Sequence, residues 1–209
     1  MPETEVKTTI SKSTGLPRKR FYRALAHSNP LSDSHLPVPI SPKTLMIGME
    51  LRDKVTKYVK ERILSLRLTN PSKYQNVSVV WTNSMKYIPN YFKKAQLTKM
   101  FFLFPDPHFK EKNHRRRIIS PFLLDEYAYI HKPGGIIYTI TDVEELGDWI
   151  KSYLENHPMF EALTEKELEA DPIVKLLSSA TKEGQKVARN GGLTFQAVFR
   201  HIVPSDQTS

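Results

Sequence analysis

The chain has 209 residues, enough for one domain with a substantial core, and 39% hydrophobic and 25% charged residues, an ordinary globular balance. It has no cysteine, which excludes disulfides, thiolate chemistry and cysteine metal sites, and its histidines form no metal-binding pair with a carboxylate at helical spacing, so no metal is expected. No apolar run approaches a membrane span and no signal-peptide pattern opens the chain, while a net charge of +9 and a pI of about 9.6 point to nucleic acid as the leading partner, against the plainer reading of a basic soluble surface.

Residues 1–17 are polar and aperiodic and are expected to be a disordered tail. A basic, proline-rich N-terminal segment follows over residues 18–43. It opens with Arg18-Lys19-Arg20-Phe21-Tyr22-Arg23, four cations around two aromatics, a composition suited to phosphates, to stacking on bases or to nuclear import. Residues 29–43, with four prolines, read as irregular. The main domain is expected over residues 44–203, with 204–209 as a tail.

Residues 45–51 (LMIGMEL) predict a short apolar strand ending near Glu50, and residues 53–66 an amphipathic helix with Val55, Tyr58, Val59, Ile63 and Leu66 inward. Residues 77–81 are β-branched and strand-like, with Asn83, Ser84 and Met85 in the loop beyond. Residues 99–108 (KMFFLFPDPH) carry the most information. Met100 to Phe104 is apolar without alternation, the pattern of a strand covered on both faces. Pro105 ends the ladder, and Asp106, extended by the proline that follows it, lies just past the strand's carboxyl end, where open α/β sheets bind ligands. The alternative is a simple Pro-Asp-Pro turn in which Asp106 bonds its own backbone.

Lys110 to Arg117 (KEKNHRRR) adds five cations directly after that loop; it reads either as a solvated face or as a phosphate track. Ser120-Pro121 predicts a helix start, with Leu123, Leu124, Tyr127, Ala128 and Ile130 inward and a stop at Lys132-Pro133-Gly134-Gly135. Residues 136–140 predict a strand, 143–155 a helix with Leu146, Ile150 and Leu154 on one side, 171–189 a largely helical stretch, and 195–202 a last strand. Strands alternating with helices imply an α/β sandwich with a mainly parallel sheet and an antiparallel edge strand.

The strand ends supply the ligand-facing candidates: Glu50; Asn83 and Ser84; Leu103 and Asp106; and Thr139, Thr141 and Asp142, the last equally suited to capping the next helix. Thr181-Lys182-Glu183 either contacts a ligand or begins an ordinary exposed helix, the simpler reading.

Together, residues 19–30 (KRFYRALAHSNP), 45–52 (LMIGMELR), 83–85, 96–108, 117–120, 123–129 (LLDEYAY), 138–142 (YTITD) and 180–186 resemble the eukaryotic tRNA (guanine-N7)-methyltransferase family. The resemblance implies a class I, Rossmann-like methyltransferase fold using S-adenosyl-L-methionine, with methylation at N7 of the variable-loop guanosine of tRNA. It implies that Glu50, Leu51 and Arg52 contact the cofactor sugar, that Asn83 and Ser84 contact adenine, and that Leu103 lines the pocket. It further implies that Asp106 is the catalytic or guanine-binding acid and that Thr181, Lys182 and Glu183 close on cofactor or substrate. Lys19, Arg20, Arg23, His108, Lys110, Arg115, Arg116 and Arg117 are the expected RNA contacts. The resemblance also implies a non-catalytic WD-repeat partner in a heterodimer, no membrane association, and residence in the nucleus, with the cytoplasm as a second location.

One feature departs from that family. Its glycine-rich turn should stand roughly 20 residues before Glu50, yet Ser41-Pro42-Lys43-Thr44 runs straight into Leu45 and no Gly-x-Gly occurs in the chain. The first strand and its turn are expected to be missing, leaving two central neighbours without a partner and the cofactor pocket without a wall. The alternative function is a remnant that keeps tRNA or partner binding without turnover.

Overall fold

In the computed structural model, the described residues are 24–28, by their backbone alone, and 45–204 apart from residue 180, with the side chain of Lys182 also left out. The expectations for residues 1–17, for Lys19, Arg20 and Arg23, for the irregular stretch 29–43 and for the tail from residue 205 onward lie outside them.

Seven strands form one sheet in the order β3-β2-β1-β4-β5-β7-β6, with β1 Ala24–Ser28, β2 Leu45–Glu50, β3 Val77–Trp81, β4 Leu97–Leu103, β5 His131–Thr141, β6 Phe160–Ala162 and β7 Phe195–His201. The pairs β2–β3 and β4–β5 are parallel, and β7 is antiparallel to β5. β7 is not the edge, because the short β6 pairs outside it. Central order 3-2-1-4-5 is that of doubly wound nucleotide-binding sheets.

The expected gap beside β2 is filled. β1 pairs antiparallel with both β2 and β4, Ala24 facing Met49 on one side and Phe102 on the other. The N-terminal segment thus lends a strand to the sheet, and the backbone groups of β2 and β4 find partners, correcting the expectation that they stand bare. An antiparallel neighbour needs no crossover helix, so residues 29–44 suffice to join β1 to β2. The direction has a consequence: Ser28, the carboxyl end of β1, pairs with Leu45 at the amino end of β2.

Helices α1 Asp53–Thr69, α2 Ser84–Tyr91, α3 Pro121–Ile130, α4 Glu144–Glu155, α5 Glu165–Ala170, α6 Pro172–Ser179 and α7 Lys182–Arg189 cover the sheet. The unbroken apolar run of β4 is buried on both faces, as its lack of alternation requires. Met100 and Phe102 join a cluster with Leu124, Tyr127 and Ile150, and Phe101 and Leu103 join another with Tyr138, Ile173 and Val187. All five inward residues expected of α3 are buried, and its Tyr127 hydroxyl donates to the Ile118 carbonyl at 2.9 Å. On the other face the Phe101 and Tyr138 rings stack at 4.8 Å, and the Tyr138 hydroxyl donates to Asp171 at 2.6 Å. On α1, of the expected face, only Ile63 is buried, with Thr56 beside the sheet. The expected helix 171–189 is two helices, and β1, α2, α5 and β6 have no counterpart in the sequence pattern.

At the sheet edge opposite the ligand side, His131 and His201 lie buried with ring centroids 6.4 Å apart. His131 Nδ1 donates to the Tyr127 carbonyl at 3.1 Å, and burial pushes its pKa down to about 4. The unfolded imidazole, with a pKa near 6.5, takes up a proton first as pH falls, so the native state loses stability from about pH 6.5 toward pH 4 and gains nothing above that window. Urea midpoints measured between pH 7.5 and 5 should fall for the native chain, and the slope should flatten in His131→Asn; equal slopes would remove His131 as a cause.

Candidate functional site

The register sets the carboxyl ends of four parallel strands in one row. Glu50 pairs with Trp81, and Leu103 with Ile140. Because Ala24 faces both Met49 and Phe102, Glu50 and Leu103 are level across β1, two strand spacings or about 10 Å apart. Asp106 lies three residues beyond Leu103.

Glu50 is 3% exposed. Its Oε1 accepts from the Arg52 backbone N–H at 2.9 Å and from Arg52 Nε at 3.3 Å, while its Oε2 is buried with no hydrogen-bond partner among the described residues. A buried carboxylate oxygen without a donor fits a ligand hydroxyl. Leu51, next in line, is exposed, and its carbonyl accepts from the Trp81 indole. Asn83 and Ser84 are not in a plain loop: Asn83 is the N-cap of α2, its side chain makes no cap bond, and Ser84 is buried in the first turn. These residues sit beyond β3, beside Glu50.

The loop after β4 is built from constrained backbone. Phe104 and His108 have φ of 51° and 47°, left-handed values uncommon for residues other than glycine. They bracket Pro105, Asp106 and Pro107. Asp106 is half-buried, and its Oδ1 accepts from the His108 backbone N–H at 3.1 Å, with His108 Nδ1 at 3.8 Å. The bond to the backbone two residues on is the turn reading of the sequence; the placement at the ligand edge is the functional reading. The turn bond and a position past the strand's carboxyl end are compatible, and no hydrogen bond among the described residues reaches Oδ2.

Beyond this loop a 3₁₀ helix, Glu111–Arg116, carries the basic run. Lys110, Lys112, Arg115 and Arg116 are exposed. Arg117 is not: it is 1% exposed and bonded to Pro107, to Glu145 and to the face of Trp149. Its expected role as an RNA contact is corrected, since a side chain buried in the protein cannot reach a phosphate.

Other candidates are also committed internally. Thr139 donates its hydroxyl proton to the Ala197 carbonyl at 2.9 Å, Thr141 accepts from the Val143 N–H at 3.1 Å, and Val143 rather than Asp142 is the α4 N-cap. Leu103 is packed in the core cluster with Phe101 and Phe104. Thr181 caps α7 by accepting from the Gly184 N–H at 2.9 Å, and Glu183 pairs with Lys186 at 2.8 Å, the ordinary helix start that the sequence favoured. Glycine is required in that turn because a Cβ on Gly184 would lie 2.1 Å from the Ser178 carbonyl oxygen. Val187 of α7 joins the cluster of Leu103, which brings this helix against the end of β4.

The residues assigned to S-adenosyl-L-methionine fit it on one side. Glu50 offers a buried acceptor to a ribose. The facing wall does not match: a glycine turn follows the carboxyl end of a parallel first strand, whereas the carboxyl end of β1 lies at the opposite edge of the sheet. No group of histidine, aspartate and glutamate among the described residues is arranged to hold a metal ion, and no helix among them is long and apolar enough to cross a membrane.

Sequence reasoning missed Glu145, Trp149 and His114, which surround Arg117. No local pattern marks Glu145 and Trp149, because their contacts with Arg117 join elements about thirty positions apart, whereas His114 lies only three residues before it, inside the basic run.

A family model described as "Putative methyltransferase" matches residues 38–197. The tRNA (guanine-N(7)-)-methyltransferase of Arabidopsis thaliana is 64% identical over 240 aligned positions, covering 93% of this chain and 96% of that protein. The protein of that name from Oryza sativa subsp. indica is 63% identical (90% and 92% covered), and that from Caenorhabditis elegans 46% (96% and 94%). Since 93% of 209 residues is about 194, about 46 positions of the Arabidopsis alignment face gaps in this chain, a size in keeping with a strand, glycine turn and helix. A SAM-dependent O-methyltransferase from Thermotoga maritima superposes with a TM-score of 0.44 at 11% identity, over 75% of this chain and 49% of that one. The fold assignment rests on strand order instead. With the matched family model, the relatives' identity over nearly their whole length and the row of acids at the strand ends, the chain belongs to the tRNA (guanine-N(7)-)-methyltransferase family.

Proposed function

We propose that this chain methylates N7 of the variable-loop guanosine of tRNA, using S-adenosyl-L-methionine. The observation that carries the reading is Asp106, held past the end of β4 in the row of Glu50 and followed by four exposed cations. The cofactor supplies an electrophilic sulfonium methyl. Guanine N7 has a lone pair and no proton, so no general base is needed and catalysis is positioning with water excluded. Asp106 would accept from the guanine N1–H and N2 amine, a donor pair adenine lacks. Lys110, Lys112, Arg115 and Arg116 would hold tRNA phosphates, and Glu50 the cofactor ribose.

A WD-repeat partner belongs to the same reading. Phe122 and Tyr129, exposed on the outer side of α3, support a protein contact there. The cations at residues 18–23 support nuclear import.

The test is an in vitro assay on tRNA with millimolar S-adenosyl-L-methionine, read as N7-methylguanosine. Product confined to the variable loop, rising with donor concentration without saturating, is the expected outcome. Absence of product with tRNA still bound would replace the reading with that of a binding remnant.

A further inference from the structure

An arginine inside a protein is costly unless its donors and its charge are met. Arg117 is 1% exposed. Its Nε donates to the Pro107 carbonyl at 2.9 Å. One terminal nitrogen donates to Glu145 at 2.6 Å and lies 3.0 Å from His114 Nε2. The guanidinium sits over the Trp149 ring, 4.6 Å from its centroid, while the other terminal nitrogen is buried with no partner among the described residues. Glu145 itself is 56% exposed, so the pair is a poor stabiliser for the burial it demands.

What the arrangement does secure is the loop. Phe104 and His108, both left-handed, put strain at each end of the Pro105-Asp106-Pro107 segment, and strained backbone persists only where its surroundings hold it. From Glu145 and Trp149 on α4, the contacts run through Arg117 to the Pro107 carbonyl, to the neighbouring His108 N–H, and to Asp106 Oδ1. We infer that Arg117 is a positioning residue that fixes the direction of the Asp106 carboxylate; the inference rests on the reading of Asp106 as the guanine acceptor. Lysine would keep the charge but lacks the planar fork that meets Pro107 through Nε and Glu145 through a terminal nitrogen while lying flat on Trp149.

The test compares the full chain with Arg117→Lys and Glu145→Ala, the latter at an exposed position that leaves the core intact. Two measurements are made: hydrogen exchange at the His108 amide, and steady-state methyl transfer to tRNA. Expected in both variants are faster exchange at His108 with unchanged exchange in β4 and β5, and an apparent kcat for tRNA at one fixed S-adenosyl-L-methionine concentration lower by about tenfold in Arg117→Lys and less in Glu145→Ala, with the apparent KM for tRNA within about twofold. Unchanged exchange and kcat would overturn the inference. So would a raised KM at constant kcat, which marks an RNA contact, or exchange rising throughout the sheet, which marks a purely structural role. If the native chain itself makes no product, the proposed function fails separately, and His108 exchange together with an NMR titration of the Asp106 carboxylate still decides the positioning.

Discussion

Calorimetric titration of this chain with S-adenosyl-L-methionine should show weak binding, about 100-fold weaker or more than for the same chain with a strand, glycine turn and helix inserted between Lys43 and Thr44. The physical reason is strand direction. In a doubly wound sheet the first strand ends at the ligand edge, and the turn that follows aims backbone N–H groups at the cofactor. Here the strand in that slot begins at the ligand edge and ends at the other. Loss of two or three such hydrogen bonds, each contributing about 0.5–1.5 kcal/mol, corresponds to roughly two decades in affinity. Glu50, with a buried oxygen that finds no hydrogen-bond partner among the described residues, remains to hold the ribose, so binding should be weakened further by Glu50→Gln. Tight binding by the unaltered chain would mean that β1 gives way to another arrangement when the cofactor is present.

The second large effect belongs to Asp106. Asp106→Ala should lower methyl transfer by about 100-fold or more while the Kd for tRNA changes less than about twofold. The carboxylate would meet two donors of the guanine edge, and hydrogen bonds to a charged acceptor contribute about 1.5–3 kcal/mol each. The affinity for tRNA, in contrast, comes from phosphates, met by the exposed Lys110, Lys112, Arg115 and Arg116, which the substitution leaves in place. Rates measured beside filter-binding affinities separate the two. Activity retained in Asp106→Ala would remove the residue from its role.

Much of this architecture can be read from residue patterns, where burial dictates the pattern. The run Met100–Phe104 announces a strand covered on both faces, and the spacing of Leu123, Leu124, Tyr127, Ala128 and Ile130 gives the inner side of α3 residue for residue. The patterns fail where the determinant is not local. Lys132-Pro133-Gly134-Gly135 mark the end of α3, which stops at Ile130, yet β5, expected from residue 136, already runs through them from His131, with a register irregularity opposite Leu97 and Lys99. A Cβ on Gly135 would come within 2.9 Å of the Lys132 carbonyl oxygen, so glycine there serves a tight passage within the strand and not its end. Pro89 masked α2, although the helix carries it in its last turn. Arg117 looks like its neighbours in a run of cations; only the buried Ile118 and Ile119 that follow hint that the chain has already turned inward. The direction of β1 leaves no trace in composition, because parallel and antiparallel strands draw on the same side chains.

The strand that fills the slot also divides the sheet. β2 and β3 connect to the remaining strands through the five residues of β1. That flank packs against α1 in a small cluster of its own, Met46, Ile63, Val77 and Val79, and of the fully buried side chains in β2 and β3 Met49 alone reaches the larger core. Such a boundary separates cooperative units: the β2-α1-β3 flank can open at a lower free energy than the rest of the domain. Glu50 belongs to the flank and Asp106 to the main body. The two acids that the proposed reaction needs at a fixed separation therefore sit on different folding units, and their alignment lasts only as long as a five-residue strand stays zipped between them.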